Sequence, residues 1–152
     1  MLSIQPATLE DLPEIAALER AVFSTETYPP FFFRQALDLW PRWLWIVRDA
    51  ESRVQGYGLA APALEHGHAW ILSMAIAPTV RGRGCGARLL TSLLGQLRAD
   101  GVTHAWLTVH PENPARRLYE RHGFTLVHES PHYFGADQSR LVMRREGLPT
   151  PP

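Results

Sequence analysis

The segment Arg81-Gly82-Arg83-Gly84-Cys85-Gly86 carries the strongest structural signal in this sequence. It follows an apolar run at 69–77 and precedes an amphipathic stretch that ends at Asp100, so we predict that it is the turn between a strand and a helix. Glycines let the backbone of such a turn approach a bound anion, and the free amides of the first helical turn point towards that anion. The segment therefore predicts a site for a phosphate or diphosphate group.

Two other nucleotide-binding motifs also contain a glycine-rich turn between a strand and a helix. A Walker phosphate loop needs a lysine, and all fifteen basic residues of the chain are arginines, so that motif is excluded. The dinucleotide pattern G-x-G-x-x-G/A is matched by Gly82 to Ala87. The acid that a dinucleotide fold needs at the end of the next strand is absent from Thr108-Val109-His110. A nucleotide-binding domain stays open as an alternative.

Turn signals and apolar periodicity divide the chain into elements in the order β-α-α-β-β-β-α-β-α-β-β. Because hairpins precede a β-α-β unit, this order predicts an α/β fold with a mixed, mostly antiparallel sheet of about seven strands and helices on both faces. The apolar strand at 69–77 is predicted to be buried on both faces. Thr8 is the predicted N-cap of the first helix, and Asn113 and Pro114 are the predicted N-cap and first residue of the last one.

Composition limits the classes of function. The 152 residues argue for one domain, placed at 1–146, with a flexible proline-rich tail at 147–152. Acidic and basic residues balance at fifteen each, which disfavours nucleic acid as a partner. The N-terminus lacks a signal peptide, no apolar run approaches the roughly 20 residues of a membrane span, and the single cysteine fits a reducing compartment. From these features we predict a cytoplasmic protein without membrane contact. His66 and His68 have no further ligands nearby in sequence, so we predict no metal site.

Two motifs resemble those of one family. Arg81-x-x-Gly84-x-Gly86 resembles the R/Q-x-x-G-x-G/A loop of the GCN5-related N-acetyltransferase (GNAT) superfamily. The segment from Asn113 to Tyr119, followed by Gly123-Phe124, resembles its N-x-x-A-x-x-L-Y-x-x-x-G-F segment, with one residue fewer between the Asn and the Tyr. The element order over residues 2–145 matches the family as well. In character the chain is most similar to ribosomal-protein-type N-terminal acetyltransferases and small-molecule amine acetyltransferases.

The resemblance implies a function and a set of site residues. It implies a sheet splayed after the fourth strand and transfer of an acetyl group from acetyl-CoA, a co-substrate, to a primary amine by direct attack in a ternary complex. Tyr119 would face the thioester sulfur and protonate the leaving thiolate. The implied cofactor-binding residues pair with the pantetheine arm, cradle the pyrophosphate or touch the cofactor arm: Met74, Ala75, Ile76, Arg81, Gly82, Arg83, Gly84, Cys85, Gly86, Ala87 and Asn113.

The general base is left open by the sequence. Where ribosomal-protein-type relatives often carry a Glu, this chain has Thr108. Ser73, Thr108 and His110 lie on or beside the two splayed strands, and any of them could order a water relay. A backbone N–H near Ile76 could stabilise the oxyanion. An acyl-cysteine route through Cys85 is disfavoured, because that position lies between two glycines of the diphosphate loop.

The partner of acetyl-CoA is predicted only as a class. Aromatic residues cluster at 28–33 and at 133–134, where the family places the rim of the acceptor cleft. An α-amine has a pKa of about 7.7 to 8.0 and needs a base less than a lysine does, so a small amine or a protein N-terminus fits. The alternative function is a sensor domain that binds acyl-CoA or a nucleotide without turnover. Monomer and homodimer both stay open.

Overall fold

The computed structural model describes residues 1–148, which contain seven strands and four α-helices. The strands are β1 (Ser3–Pro6), β2 (Leu44–Arg48), β3 (Val54–Pro62), β4 (His68–Ile76), β5 (His104–Val109), β6 (Thr125–Ser130) and β7 (Arg140–Glu146). The helices are α1 (Leu12–Val22), α2 (Pro30–Leu39), α3 (Cys85–Ala99) and α4 (Ala115–Arg121). The predicted order of elements is confirmed, with three short 3₁₀ helices added at Leu9–Asp11, Pro41–Trp43 and Pro78–Val80.

The starts of two helices refine the predicted caps. Thr8 and Asp11 form the capping box at the first helical segment, where the Thr8 amide donates to Asp11 Oδ2 at 2.8 Å. A 3₁₀ turn follows, so that α1 itself begins at Leu12. Helix α4 begins at Ala115, one residue later than predicted. Pro114 has helical dihedral angles but precedes the first regular turn.

The strands form one mixed sheet in the order β1-β2-β3-β4-β5-β7-β6. The only parallel pair within residues 1–148 is β4 with β5, which pair from His68 and His104 to Ile71 and Leu107. Beyond this point β4 continues to Ile76 and β5 to Val109, each paired only with its other neighbour, β3 or β7, and the two strands no longer pair with each other. A register shift on the β3 side leaves Leu72 without a partner, and such a bulge bends the strand. The predicted splay after the fourth strand is therefore present.

The prediction that β4 is buried on both faces is wrong. Along this strand, Ala69, Ile71 and Ala75 are buried, whereas Leu72 and Met74 are half-buried. The strand has a nearly unbroken run of apolar residues because it borders an internal opening lined by apolar side chains. Helices do not cover both of its faces.

Helices pack on both faces of the sheet, as predicted. On one face the Tyr57 side chain contacts Glu19 of α1 and packs edge-to-face with Phe33 of α2. On the other face, a Cβ added at Gly58 would lie 3.4 Å from Leu93 of α3. The first face carries α1 and α2 and the second carries α3, so the opening between β4 and β5 connects two differently covered sides.

The end of the described chain is packed. Leu148 is buried in the core beside β5, and its carbonyl accepts a hydrogen bond from Arg98 Nη1 at 2.9 Å. The packing therefore extends two residues beyond the predicted domain end at 146, and the rest of the predicted tail (149–152) lies outside the described residues. Across residues 1–148, no helix has the length and apolar character required to cross a bilayer.

Candidate active site

The glycine segment forms a left-handed turn into α3. Gly82 and Gly84 have φ angles of +82° and +74°, which side-chain-bearing residues rarely adopt. A Cβ at either position would meet no atom within 4 Å, so the space in front of the turn is open. Gly86 has a different role, because its Cβ would lie 3.2 Å from Leu118 and the glycine lets α3 approach α4 closely.

A cavity of about 560 Å³ opens against this turn and runs between the end of β4 and α4. The first amides of α3 have no acceptor within the helix, because the earliest helical bond runs from Arg88 N to Gly84 O. The predicted cofactor residues that line the cavity are Met74, Ala75, Ile76, Arg81, Gly82, Gly84, Cys85, Gly86, Ala87 and Asn113. Arg83 is exposed and does not line it. Unpredicted neighbours include Phe23, Val80 and Arg121.

The side chain of Cys85 points into the core and not into the turn. It is 2% exposed and belongs to the cluster that contains Leu89. Burial raises the pKa of the Cys85 thiol, and the charges of Arg88 and Arg83 oppose that shift. A buried protonated thiol is a poor nucleophile, which agrees with the prediction that Cys85 carries no acyl group.

A second cavity, of about 430 Å³, lies on the α1 face of the sheet. Its walls come from α1, the α1–α2 loop, β4, β5 and the start of β7. Four residues line both cavities: Phe23, Met74, Asn113 and Tyr119. The two cavities therefore meet at the point where β4 and β5 separate.

Tyr119 lies at this junction. Its ring packs edge-to-face on Phe124 with centroids 6.0 Å apart, and the residue is 9% exposed. Burial raises the pKa of Tyr119 to about 12. The phenol is therefore neutral at physiological pH and has a proton to donate.

Asn113 borders both cavities and also caps α4. Its Oδ1 accepts a hydrogen bond from the Ala115 amide at 2.9 Å. This contact is the one the sequence predicted from its position before Pro114. The side-chain oxygen is used for the cap, which leaves the amide group for the cavity.

The three candidates for the proton acceptor are brought together. Ser73, Thr108 and His110 all line the second cavity. Ser73 is hydrogen-bonded to Tyr57, and His110 Nδ1 accepts from the Glu112 amide at 3.1 Å. His68 lies elsewhere, at the paired end of β4, where its Nδ1 accepts from Trp106 Nε1 at 2.9 Å.

Known proteins with similar sequences are acetyltransferases. The acetyltransferase (GNAT) family profile matches residues 9–124. The chain belongs to this family. A ribosomal protein bS18-alanine N-acetyltransferase of Haemophilus influenzae is 34% identical over 96 residues, which is 60% of this chain and 64% of that protein. For two further curated relatives the matched share is 55% and 37% of their length, so the match spans less than two thirds of these proteins.

Solved structures agree on the GNAT fold. The structure of the NatC complex bound to Gag peptide and CoA contains a chain that matches with a TM-score of 0.87 at 20% identity, covering 95% of this chain and 98% of that one. The ribosomal-protein-S18-alanine N-acetyltransferase from Escherichia coli matches with a TM-score of 0.81 at 22% identity, covering 96% and 94%.

Sequence reasoning missed a buried acid in this GNAT domain. Glu19 of α1 is 1% exposed and lines the second cavity. Its Oε1 accepts from the Tyr57 hydroxyl at 2.5 Å, and its Oε2 accepts from the Tyr28 amide at 2.9 Å. Burial and the Glu19 charge raise the pKa of Tyr57 far above its ordinary value. A signal existed, since Glu19 lies four residues after Ile15 and three before Val22, on the apolar stripe of the helix.

An ion pair across the second cavity was also missed. Arg140, at the start of β7, donates from Nη2 to Glu26 Oε2 at 2.8 Å. The Arg140 side chain is 11% exposed, and its guanidinium carbon lies 5.0 Å from the centre of the Phe134 ring. The two residues are 114 positions apart, one in the α1–α2 loop and the other at the start of β7, and no local pattern predicts such a pair.

Proposed function

We propose that this protein transfers the acetyl group of acetyl-CoA to a primary amine. The observation that carries the proposal is the meeting of two cavities at Tyr119, one ending at the glycine turn and the other enclosed by side chains of α1, β5 and β7. A transferase that binds two substrates at once needs this arrangement, with the reacting groups at the junction. The names of the relatives, N-acetyltransferases acting on ribosomal protein alanine, support the same activity.

The first cavity fits acetyl-CoA. The open amides from Gly82 to Ala87 suit a diphosphate, and Arg81 and Arg121 add positive charge beside them. Beyond Ile71, the edge of β4 that faces β5 has lost its strand partner, so the backbone groups on this edge from Met74 to Ile76, apart from the Ile76 carbonyl, are available to the amides of a pantetheine arm. Arg81 Nε donates to Ile76 O at 3.2 Å, which ties the loop to this strand end.

The chemistry follows from the junction. The amine enters from the second cavity and attacks the thioester carbonyl directly, and the leaving thiolate takes its proton from Tyr119. Cys85 is buried and protonated, which supports direct attack over an acyl-cysteine intermediate. An acid placed at the leaving group typically contributes about 10² to 10⁴ in rate.

The acceptor we propose is an α-amine, either of a peptide or of a small molecule. Tyr28 and Phe134 form an apolar border to the second cavity, which suits the first side chain of a peptide. No metal is needed for the chemistry. We also propose that the enzyme works in the cytoplasm as a monomer or homodimer, without nucleic acid or membrane as a partner.

The test is an acceptor panel. Purified protein is incubated with acetyl-CoA and with peptides or small amines, while free CoA thiol is followed and products are identified by mass. We expect amine-dependent thiol release and a mass gain of one acetyl group, with N-blocked versions of the same peptides as inactive controls. Tight binding of acetyl-CoA without thiol release for any amine would favour the sensor function instead.

A further inference from the structure

The proposed reaction needs a proton acceptor, and β5 does not supply a strong one. The amine must lose a proton as its bond to carbon forms. Position 108 holds a threonine, and Thr108 is one of three weak candidates on the cavity wall, together with Ser73 and His110. A carboxylate, that of Glu19 on α1, is buried on the other side of the same cavity.

Hydrogen-bond geometry connects Glu19 to the cavity. The Tyr57 hydroxyl lies 2.5 Å from Glu19 Oε1 and 2.7 Å from Ser73 Oγ. A phenol has one proton, and an ionised carboxylate only accepts, so Tyr57 donates to Glu19. The Ser73 hydroxyl must then donate to Tyr57. All protons in this chain point from the cavity towards Glu19, and the free lone pair of Ser73 is left for a donor on the cavity side.

Glu19 is held in a way that suits a proton acceptor. It has no cation within ion-pair distance among residues 1–148, although its side chain is almost fully buried. Within residues 1–148, its carboxylate accepts two hydrogen bonds, one from the Tyr57 hydroxyl and one from the Tyr28 amide. The carboxylate oxygens of Glu19 therefore keep lone pairs that no cation in this part of the chain occupies.

We propose that Glu19 is the general base and acts through Tyr57 and Ser73, a proposal that rests on the function above. As the nitrogen–carbon bond forms, the amine proton moves to Ser73 Oγ, the Ser73 proton moves to Tyr57 Oη, and the Tyr57 proton moves to Glu19 Oε1. The carbon–sulfur bond breaks, and the thiolate takes a proton from Tyr119. Glu19 then releases its proton to solvent, and Tyr119 takes a proton from solvent. The net reaction yields the amide and free CoA.

The decisive variants are Tyr57→Phe and Glu19→Gln. Tyr57→Phe keeps the ring that packs on Phe33 and removes only the middle hydroxyl of the chain. Glu19→Gln keeps the size of the side chain and one acceptor oxygen, where the carboxylate offers Oε1 to the Tyr57 hydroxyl and Oε2 to the Tyr28 amide, and it cannot take a proton at neutral pH. A structural role for Glu19 would therefore be only partly preserved in the glutamine variant, and a role as base would be lost, so the melting temperature is measured beside kcat to report the structural part.

We expect kcat to fall at least tenfold in both variants at pH 7, with the affinity for acetyl-CoA close to wild type. The melting temperature should fall in both, because each substitution removes a hydrogen-bond partner of a buried group. The deficit should shrink as pH rises, because a growing fraction of the acceptor is then neutral and water can remove the remaining proton. Ser73→Ala, which breaks the chain at its cavity end, should show the same pH response. Tyr119→Phe serves as the comparison, because it removes the proton donor and not the proton acceptor, and its deficit should not shrink with pH. The other titratable or charged groups that line this cavity are Glu26, Tyr28, His110 and Arg140.

Folded Glu19→Gln and Tyr57→Phe proteins with wild-type kcat at pH 7 would overturn the relay while leaving the proposed function intact. A deficit that is independent of pH would also overturn it, because it would indicate a structural role. Absence of amine-dependent turnover in the wild-type protein would overturn the proposed function, and the relay with it.

Discussion

The two faces of the opened sheet are built in different ways. The face towards α3 presents backbone groups from one continuous segment, Gly82 to Ala87, together with the free edge of β4. The face towards α1 presents side chains that come from α1, the α1–α2 loop, β4, β5 and β7. A site made of backbone amides has to be encoded locally, by glycines at fixed spacing. A site made of side chains can be assembled from any part of the chain, and only the fold brings its parts together.

The largest effect is expected on the backbone face. Gly84→Glu should abolish acetyl-CoA binding and leave the fold largely intact, because a side chain and a negative charge would occupy the open space before the α3 amides. Calorimetric titration with acetyl-CoA measures this. Gly101→Glu is the matched control, since Gly101 also has a positive φ, of +92°, and open space at its Cβ, but lies at the far end of α3. Wild-type affinity in Gly84→Glu, or an equal loss in the control, would contradict the diphosphate assignment.

The same difference explains what the sequence could predict. The glycine turn, α3 and the order of the elements along the chain follow from local signals, and the structure has them in the predicted places. Glu19 was visible as a charge on an apolar stripe, but its partners Tyr57 and Ser73 depend on the pairing of β3 with β4. The Glu26–Arg140 pair depends on the α1–α2 loop meeting the start of β7. Long-range side-chain contacts are a property of the fold, and a single sequence does not encode them in any short pattern.

A smaller effect is expected at the junction of the two faces. Tyr119→Phe should lower kcat by at least an order of magnitude, because the neutral phenol can no longer protonate the leaving thiolate. Acetyl-CoA affinity should change little, since only the hydroxyl is lost. Single-turnover kinetics at saturating substrates measure the chemical step. An unchanged chemical step would remove Tyr119 from the mechanism and make water the proton donor.

The next effect belongs to the side-chain face alone. Arg140→Gln removes the ion pair with Glu26 that joins β7 to the α1–α2 loop beside the cavity. We expect the KM for the amine to rise about three- to tenfold, corresponding to roughly 0.7–1.4 kcal/mol, while the Kd for acetyl-CoA stays constant. Glu26→Gln should reproduce the change, and the double variant should add little to either single one. Weaker acetyl-CoA binding in these variants would show that the two faces are not independent.

The smallest effect concerns how the stability of the protein depends on the two buried tyrosines at high pH. Burial raises the pKa of Tyr119 to about 12, and burial together with Glu19 raises the pKa of Tyr57 further. An unfolded tyrosine loses its proton near pH 10, so above that pH the unfolded chain binds fewer protons and stability falls with rising pH. At pH 10.5 this linkage costs roughly 0.8 kcal/mol for each tyrosine that stays protonated in the folded state.

Denaturant unfolding at pH 7 and pH 10.5 measures this cost. The loss of unfolding free energy between the two pH values should be smaller, by about that amount, in Tyr119→Phe and in Tyr57→Phe than in the wild type. Because no tyrosine ionises at pH 7 in either state, the comparison between the two pH values cancels the packing cost of each substitution. A loss equal to that of the wild type in the Tyr119 variant would mean that its hydroxyl is hydrated, and that the junction between the two faces is wetter than its burial indicates.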